Sequence, residues 1–291
     1  FLWIALGDTW EIGGDAVSYV ALYNGKMAQS PFGYRILTPY LASLLPWDMT
    51  TNFTVITLTS LSFVSGTILL YANKSGFSKL NSMFVFLLWV TSYPFIYYGT
   101  TFVRADAPVL FLIALVILLS KYNMPIVVLL ALLAVGILAH EMVMVLIPLL
   151  WFDKLFLGSL SGGKKYKYWQ LFLITSGTFL FYIITKIIMP TLPAIPNIPN
   201  IPKDYLDYLS VPLAIITSTL NYSGGPIKHI LRIYASFGPV ILFSMFYILF
   251  INKKISDTLV YFGLFFVVVM ATFLAADTLR VMAIFYFPVV I

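Results

Sequence analysis

The residues best suited to chemistry in this chain are carboxylates that follow or interrupt long apolar runs. Asp15, Asp106 and Glu141 all lie in such places. A partly buried carboxylate has a raised affinity for protons, so it can take a proton from a hydroxyl group. We therefore predict that these three residues are catalytic. Asp15 is the expected general base, and Asp8 and Glu11 are rivals for that role in the same loop.

Each of these carboxylates also has a structural interpretation. Asp15 precedes a predicted interfacial helix and is suited to cap it. Asp106 either pairs with Arg104 or faces the site as a second acid. His140 and Glu141 lie within a 28-residue apolar stretch, residues 125–152, where charged groups are costly. They form either a buried hydrogen-bonded pair or part of the floor of a cavity.

Arginine side chains are the candidate phosphate-binding groups, because a planar guanidinium matches phosphate oxygens in pairs. Arg280 follows Asp277 by three residues, a spacing that also suits an ion pair along one helix face. We predict that five residues bind the substrate: Arg35, Arg104, His140, Asp277 and Arg280.

The motifs that are missing narrow the chemistry. The chain has no cysteine, so thiolate nucleophiles and zinc–thiolate sites are excluded. It has no phosphate-binding glycine loop, no dinucleotide fingerprint and no Gly-x-Ser-x-Gly nucleophile. We predict no metal-binding residues and no certain cofactor, with Asp106 the candidate if a divalent cation binds. The net charge of +6 is mostly lysine at loop ends, a topology signal rather than a nucleic-acid footprint.

The elements that position these residues are predicted to be membrane helices. Hydrophobic residues make up 61% of the chain, charged residues 10%, and the mean hydropathy is +0.97. We predict an all-α integral membrane protein with about ten transmembrane helices, the first and last incomplete. It forms a single domain, 1–291, from a longer chain. The full spans are expected at 52–72, 81–100, 107–120, 125–139, 142–152, 169–189, 235–251 and 258–275.

Lysine predicts the orientation of these helices. Nine lysines fall in short loops on one side, which the positive-inside rule makes cytoplasmic; they are Lys74, Lys79, Lys121, Lys154, Lys164, Lys165, Lys167, Lys253 and Lys254. The other side holds nine of the eleven carboxylates and all four arginines. This orientation requires a hairpin whose short arms, 125–139 and 142–152, meet at His140 and Glu141. We expect that tip at the floor of an outward cavity.

Two outer loops are long. The loop 7–51 is predicted to hold interfacial helices, one over 16–28 and one that starts at Thr38–Pro39, a capping residue followed by proline. The loop 190–234 has proline at every third position from Pro190 to Pro202, which indicates polyproline II structure. This segment is either a stiff spacer or a ligand for a proline-reading partner.

These residues and loops resemble the GT-C class of integral membrane glycosyltransferases. The resemblance is carried by Gly14-Asp15-x-x-x-Tyr19, by the segment from Ser30 to Pro39 (SPFGYRILTP), and by the two long outer loops. It implies that a polyprenyl-phosphate sugar is the donor. It further implies that Asp15 is the catalytic carboxylate, Asp106 the acid of the second outer loop and Arg280 a phosphate ligand. Arg-Ala-Asp is not a paired-acid motif, which departs from the family pattern.

We therefore predict a multi-pass glycosyltransferase of the plasma membrane whose active site faces the extracytoplasmic side. Its expected partners are membrane lipids, the lipid-linked sugar and an acceptor of unknown identity, and no nucleic acid. The alternatives are a transporter or lipid flippase, and a non-catalytic subunit of an envelope-assembly complex. Transporters place coupling charges near the midplane of repeated halves, whereas these charges gather at one rim.

Overall fold

The computed structural model describes residues 14–28, 32–99, 106–120, 122, 124–152, 154, 166–189 and 225–228. Every regular element within these ranges is helical, as predicted. The first loop contains α1 (Gly14–Tyr23), a 3₁₀ turn (Phe32–Tyr34) and α2 (Leu37–Ser43). The elements that follow are α3 (Met49–Lys74), α4 (Lys79–Val90), α5 (Tyr93–Tyr98), α6 (Asp106–Ser120), α7 (Ile126–Ala139), a 3₁₀ segment (Glu141–Val145), α8 (Leu146–Phe152) and α9 (Tyr168–Ile188).

Two of the described helices, α3 and α9, are long and apolar enough to cross a bilayer. They correspond to the predicted spans 52–72 and 169–189. The helices α6 and α7 also lie within one residue of their predicted bounds, but they have only 15 and 14 residues. The predicted first span and all spans from 235 onward lie outside the described residues.

One predicted span is interrupted near a proline, so the prediction of a continuous helix there was wrong. The span 81–100 is divided into α4 and α5, with Pro94 in the first turn of α5. Proline has no N–H to bond the carbonyl four residues earlier, and its ring crowds that carbonyl. The predicted helix 142–152 is continuous over Glu141–Trp151, with its first turns in the 3₁₀ conformation.

The predicted helix start at Thr38 was also misplaced. Helix α2 begins at Leu37, with Ile36 at the cap position and no side-chain cap bond. Pro39 is tolerated because backbone N–H groups in the first turn have no partner within the helix. Thr38 is instead fully buried.

Helices α3 and α6 run parallel, with α4 antiparallel beside α3. The rings of Phe63 and Phe111 lie 5.2 Å apart, and Lys74 Nζ lies 4.8 Å from the centre of the Tyr122 ring. Both contacts join residues that are 48 positions apart, as parallel helices require. The indole of Trp89 on α4 donates to Ser65 Oγ on α3 at 3.0 Å. The C-terminal ends of α3 and α6 therefore lie together.

Helix α7 and the segment after it form the predicted hairpin. A Cβ atom added at Gly136 would lie 2.7 Å from a methyl group of Val143. In one continuous helix these residues would be separated by about 10 Å along the axis, so the chain reverses between them. Tyr166 donates to the carbonyl of Met124 at 3.3 Å, which joins the starts of α7 and α9.

Four described lysines mark the end of the bundle at which these contacts lie, which we call the lysine end. Lys74 ends α3 and contacts Tyr122, and Lys79 begins α4. Lys154 lies 5.1 Å from the ring of Tyr168 at the start of α9, and Lys167 caps that helix. The sequence assigns these lysines to one side of the membrane. The four that the structure describes lie at one end of the bundle.

The first loop is anchored to the start of α3 by Asn52, which is fully buried. Its amide nitrogen donates to the Tyr23 hydroxyl at 3.1 Å and to the carbonyls of Leu45 and Trp47 at 3.0 Å. Its amide oxygen accepts the backbone N–H of Trp47 at 3.2 Å. One side chain thus ties α1, the end of α2 and the turn before α3 together, at the end opposite the lysines.

Candidate functional site

Four charged or titratable side chains meet at the end of the bundle away from the lysine end. We call Arg35, Asp106, His140 and Glu141 the polar cluster, and all four are buried. Arg35 lies just before α2, Asp106 begins α6, and His140 and Glu141 form the break after α7. Because each group lies at a helix end or in a turn, three separate parts of the sequence bring these four side chains to one place.

Arg35 and Glu141 form the strongest contact in the polar cluster. Arg35 Nε donates to Glu141 Oε2 at 2.9 Å, and Nη2 donates to Glu141 Oε1. The third nitrogen, Nη1, donates to the hydroxyl of Tyr19 on α1 at 3.3 Å. A two-bond guanidinium–carboxylate contact fixes distance and orientation together. The first loop is therefore attached to the tip of the α7–α8 hairpin by an ion pair that joins residues 106 positions apart.

His140 lies between the two carboxylates. Its Nδ1 accepts the backbone N–H of Met142 at 3.2 Å and lies 3.3 Å from Glu141 Oε2. Its Nε2 lies 3.7 Å from Asp106 Oδ1. When the ring is neutral, the bond from Met142 places the proton on Nε2, facing Asp106. When the ring is charged, Nδ1–H instead points at Glu141, so the two contacts of Nδ1 belong to different protonation states.

The two carboxylates of the polar cluster therefore have different electrostatic surroundings. Glu141 is held by a permanent cation, because arginine stays protonated in proteins. Asp106 is fully buried at the N-terminus of α6 and faces the imidazole of His140. Carboxylates in unlike environments are suited to unlike roles. The catalytic roles predicted for Asp106 and Glu141, and the substrate-binding role predicted for His140, stay predictions.

The polar cluster lies nearer to the lysine end than the first residue of α3 does. The offset between α3 and α6 places Asp106 level with Leu58, about 13 Å from the start of α3 at the helical rise. Helices α6 and α7 are each only about 21 Å long, which is shorter than the roughly 30 Å of a bilayer core. The membrane depth predicted for His140 and Glu141, and the cavity above them, stay predictions.

A group of side chains from α9 borders the polar cluster. The rings of Tyr182 and Tyr34 meet edge to face with centroids 5.9 Å apart, and Tyr34 is buried next to Arg35 in sequence. The hydroxyl of Tyr182 interacts with Tyr34, Glu141 and Lys186. Sequence reasoning overlooked Lys186, because a lysine near the end of an apolar helix resembles a residue that marks the membrane boundary.

The predicted site residues are only partly brought together. Arg35, Asp106, His140 and Glu141 meet, which supports treating them as one site. Asp15 lies in the first turn of α1, and its role as general base stays a prediction. The other predicted residues lie outside the described ranges, namely Asp8, Glu11, Arg104, Asp277 and Arg280. Their roles, and the pairing of Arg104 with Asp106, stay predictions.

The described residues do not fit a bound divalent metal. No three His, Asp or Glu side chains within the described ranges are arranged as a metal site. Both oxygens of Glu141 are bound by Arg35, and Asp106 faces His140. A cation on Glu141 would therefore have to displace Arg35.

Comparison with known proteins gives no relatives for this chain. No family model matches it, and neither a curated protein nor a solved structure is similar to it.

Proposed function

We propose that this chain is a multi-pass membrane glycosyltransferase that moves a sugar from a polyprenyl-phosphate donor to an acceptor at the outer face of the membrane. The observation that carries the proposal is the polar cluster. It gathers two buried carboxylates at the end of an apolar bundle opposite the lysines. The resemblance of Gly14–Tyr19 and Ser30–Pro39 to GT-C enzymes supports the donor class.

The membrane arrangement is part of the proposal. Helices α3 and α9 support it by their length and composition, and large apolar side chains are exposed along them, including Phe63, Phe172 and Ile187. In water such surface would be unfavourable, whereas lipid covers it at no cost. About ten helices cross or enter the plasma membrane as one domain. The lysine end faces the cytoplasm, and the polar cluster faces the extracytoplasmic side.

The proposed reaction is a single in-line displacement. The acceptor hydroxyl oxygen attacks the anomeric carbon, and the bond from that carbon to the donor phosphate oxygen breaks. The phosphate leaves with the electron pair, and Asp15 takes the hydroxyl proton. One displacement inverts the configuration at the anomeric carbon. Asp106 and His140 supply a second proton-exchanging pair beneath the reacting atoms, while Arg280 and Arg104 are proposed to hold the phosphate.

Asp15→Asn tests the proposal, because it keeps the shape of the side chain and removes the base. Transfer of labelled sugar from polyprenyl-phosphate donors by the purified full-length protein should fall by about 10²-fold or more, with donor binding retained. Asp48→Asn is the matched control. Asp48 is an exposed carboxylate in the same loop that caps α3, so this variant should transfer at the wild-type rate. Wild-type transfer by Asp15→Asn would exclude Asp15 and turn attention to Asp8 and Glu11.

A transporter is the second candidate, favoured by one observation. The helix break at His140 places ionisable groups beside an irregular backbone below the end of α3, and transporters place coupling sites at broken helices. Proton flux into proteoliposomes that is abolished by Asp106→Asn, with no sugar transfer by the wild type, would favour this candidate. A protein without flux and without transfer would be a non-catalytic subunit.

A further inference from the structure

Lys186 occupies the last turn of α9, at the opposite end of that helix from the lysine end. Its Nζ lies 5.3 Å from the centre of the Tyr182 ring, and it also interacts with the Tyr182 hydroxyl. One helical turn separates the two residues, so Lys186 lies about 6 Å further from the lysine end than Tyr182. The backbone of Lys186 thus lies on the outward side of Tyr182, and its ammonium is held against the Tyr182 ring.

Contacts through Tyr182 connect this ammonium to the polar cluster. Tyr182 packs edge to face on Tyr34, and its hydroxyl also feels the charge of Glu141. Tyr34 directly precedes Arg35, whose guanidinium binds Glu141. Lys186 and Tyr34 therefore both contact Tyr182, and together with the ion pair that they border they form one set of side chains.

The charges of this set are unequally available to a ligand. Arg35 and Glu141 largely cancel each other, because both carboxylate oxygens accept bonds from the guanidinium. The sequence predicted that Arg35 binds phosphate, but most of its donors are directed at Glu141 and Tyr19. Lys186 is only partly buried, and ammonium is a compact donor that binds phosphate as a point charge.

We propose that Lys186 binds the phosphate of the lipid-linked substrate on the outward side of the polar cluster. The proposal rests on the proposed function for its ligand class, a phosphate ester on a polyprenyl chain. Held there, the phosphate lies away from the two buried carboxylates, which would repel it, and its lipid chain can extend along the apolar surface of α9. Tyr182 is the positioning residue, because it holds the ammonium by its ring face and its hydroxyl.

The alternative role for Lys186 is structural. A lysine in the last turn of a helix interacts favourably with the helix dipole, and its long side chain can reach the membrane surface. That role needs no ligand and predicts the same behaviour towards charged and uncharged lipids. The two roles therefore differ in one measurable property, namely whether binding of a polyprenyl chain depends on its phosphate.

The experiment measures binding of polyprenyl monophosphate, and of the uncharged polyprenol of the same length, to the full-length protein in phosphatidylcholine nanodiscs. We expect Lys186→Gln to weaken monophosphate binding by about tenfold to a hundredfold, the range of a charge-assisted hydrogen bond, and to leave polyprenol binding unchanged. Lys186→Arg should retain binding within a few fold. Lys26→Gln removes an exposed lysine of the first loop and should bind like the wild type. Tyr182→Phe should give a smaller loss than Lys186→Gln, which supplies a second test if the latter folds poorly.

Three outcomes would overturn the proposal, each in a different way. Equal monophosphate binding by Lys186→Gln and the wild type would assign Lys186 the structural role and leave the proposed function standing. Equal binding of monophosphate and polyprenol by the wild type would remove the donor class itself, and with it the proposed function. Full competition by phosphatidylglycerol would show that Lys186 recognises anionic membrane lipid in general rather than a substrate.

Discussion

The Arg35–Glu141 pair allows a quantitative test of the site geometry. Arg35→Met replaces the arginine with a shorter, unbranched apolar side chain and leaves the Glu141 charge buried without its partner. The two side chains are only 4% and 9% exposed, so solvent cannot take the place of the lost contact. Removing one member of such a pair costs about 3–5 kcal/mol of unfolding free energy. At roughly 2–4 °C per kcal/mol for a chain of this size, the melting temperature should fall by on the order of 10 °C.

Thermal unfolding of the purified full-length protein in detergent, followed by circular dichroism, measures this change. Glu141→Gln should be similarly destabilising, because it strands the arginine charge instead. The double variant Arg35→Met, Glu141→Gln strands neither charge and should lose less stability than the two single losses added together. Lys26→Met is the matched control, since it makes a comparable charge change at an exposed site in the same loop and should change stability by less than about 0.5 kcal/mol.

Two results would refute this reasoning. If Arg35→Met has the same melting temperature as the wild type, the ion pair is not the buried contact between the first loop and the hairpin tip. If the double variant loses the full sum of the single losses, the two residues do not interact.

The remaining predictions concern the hairpin and the start of α3. Gly136→Ala should destabilise the protein by about 1–3 kcal/mol, because its new methyl group would overlap Val143. Adding Val143→Ala to this variant should recover the lost stability. The control Gly66→Ala lies in open space on α3 and should not destabilise the protein. If the chain did not reverse between Gly136 and Val143, Gly136→Ala alone would leave the stability unchanged. The Thr51 hydroxyl and backbone N–H hold the pKa of Asp48 below its usual value. Its stabilisation is therefore present above the unfolded-state pKa, about 3.9, and is lost as pH falls through the lower folded-state pKa. Between about pH 5 and pH 2, the melting temperature should therefore fall less for Asp48→Asn than for the wild type. An equal fall in the two proteins would argue against the cap.

The helices were predictable where the signal is local. Apolar length and flanking residues gave α6, α7 and α9 close to their observed bounds, and the costly pair His140-Glu141 marked the hairpin tip. The division before Pro94 was missed because hydropathy does not record a missing N–H. This proline lies inside an apolar run, where only the backbone hydrogen-bond pattern reveals the interruption.

The site was predictable as a set of residues but not as a set of contacts. Arg35, Asp106, His140 and Glu141 stood out because charge is rare in this chain. Their pairing depends on how the first loop folds over the hairpin, and Tyr19 and Asn52, which help to hold that loop, look like ordinary polar residues in the sequence. Lys186 was missed for a related reason, since its relation to the site arises only through Tyr182 and Tyr34.

The order of the paired charges along the chain has a consequence for biosynthesis. Arg35 and Asp106 leave the ribosome before His140 and Glu141, the residues they contact. An isolated charge at membrane depth costs about 3 kcal/mol or more. A hairpin tip synthesised before its partner residues would carry that cost without compensation. In the proposed membrane arrangement, Arg35 and Asp106 have already been synthesised when the hairpin tip is inserted, so His140 and Glu141 can pair with them at once. The linear sequence of elements is therefore also a workable order of assembly.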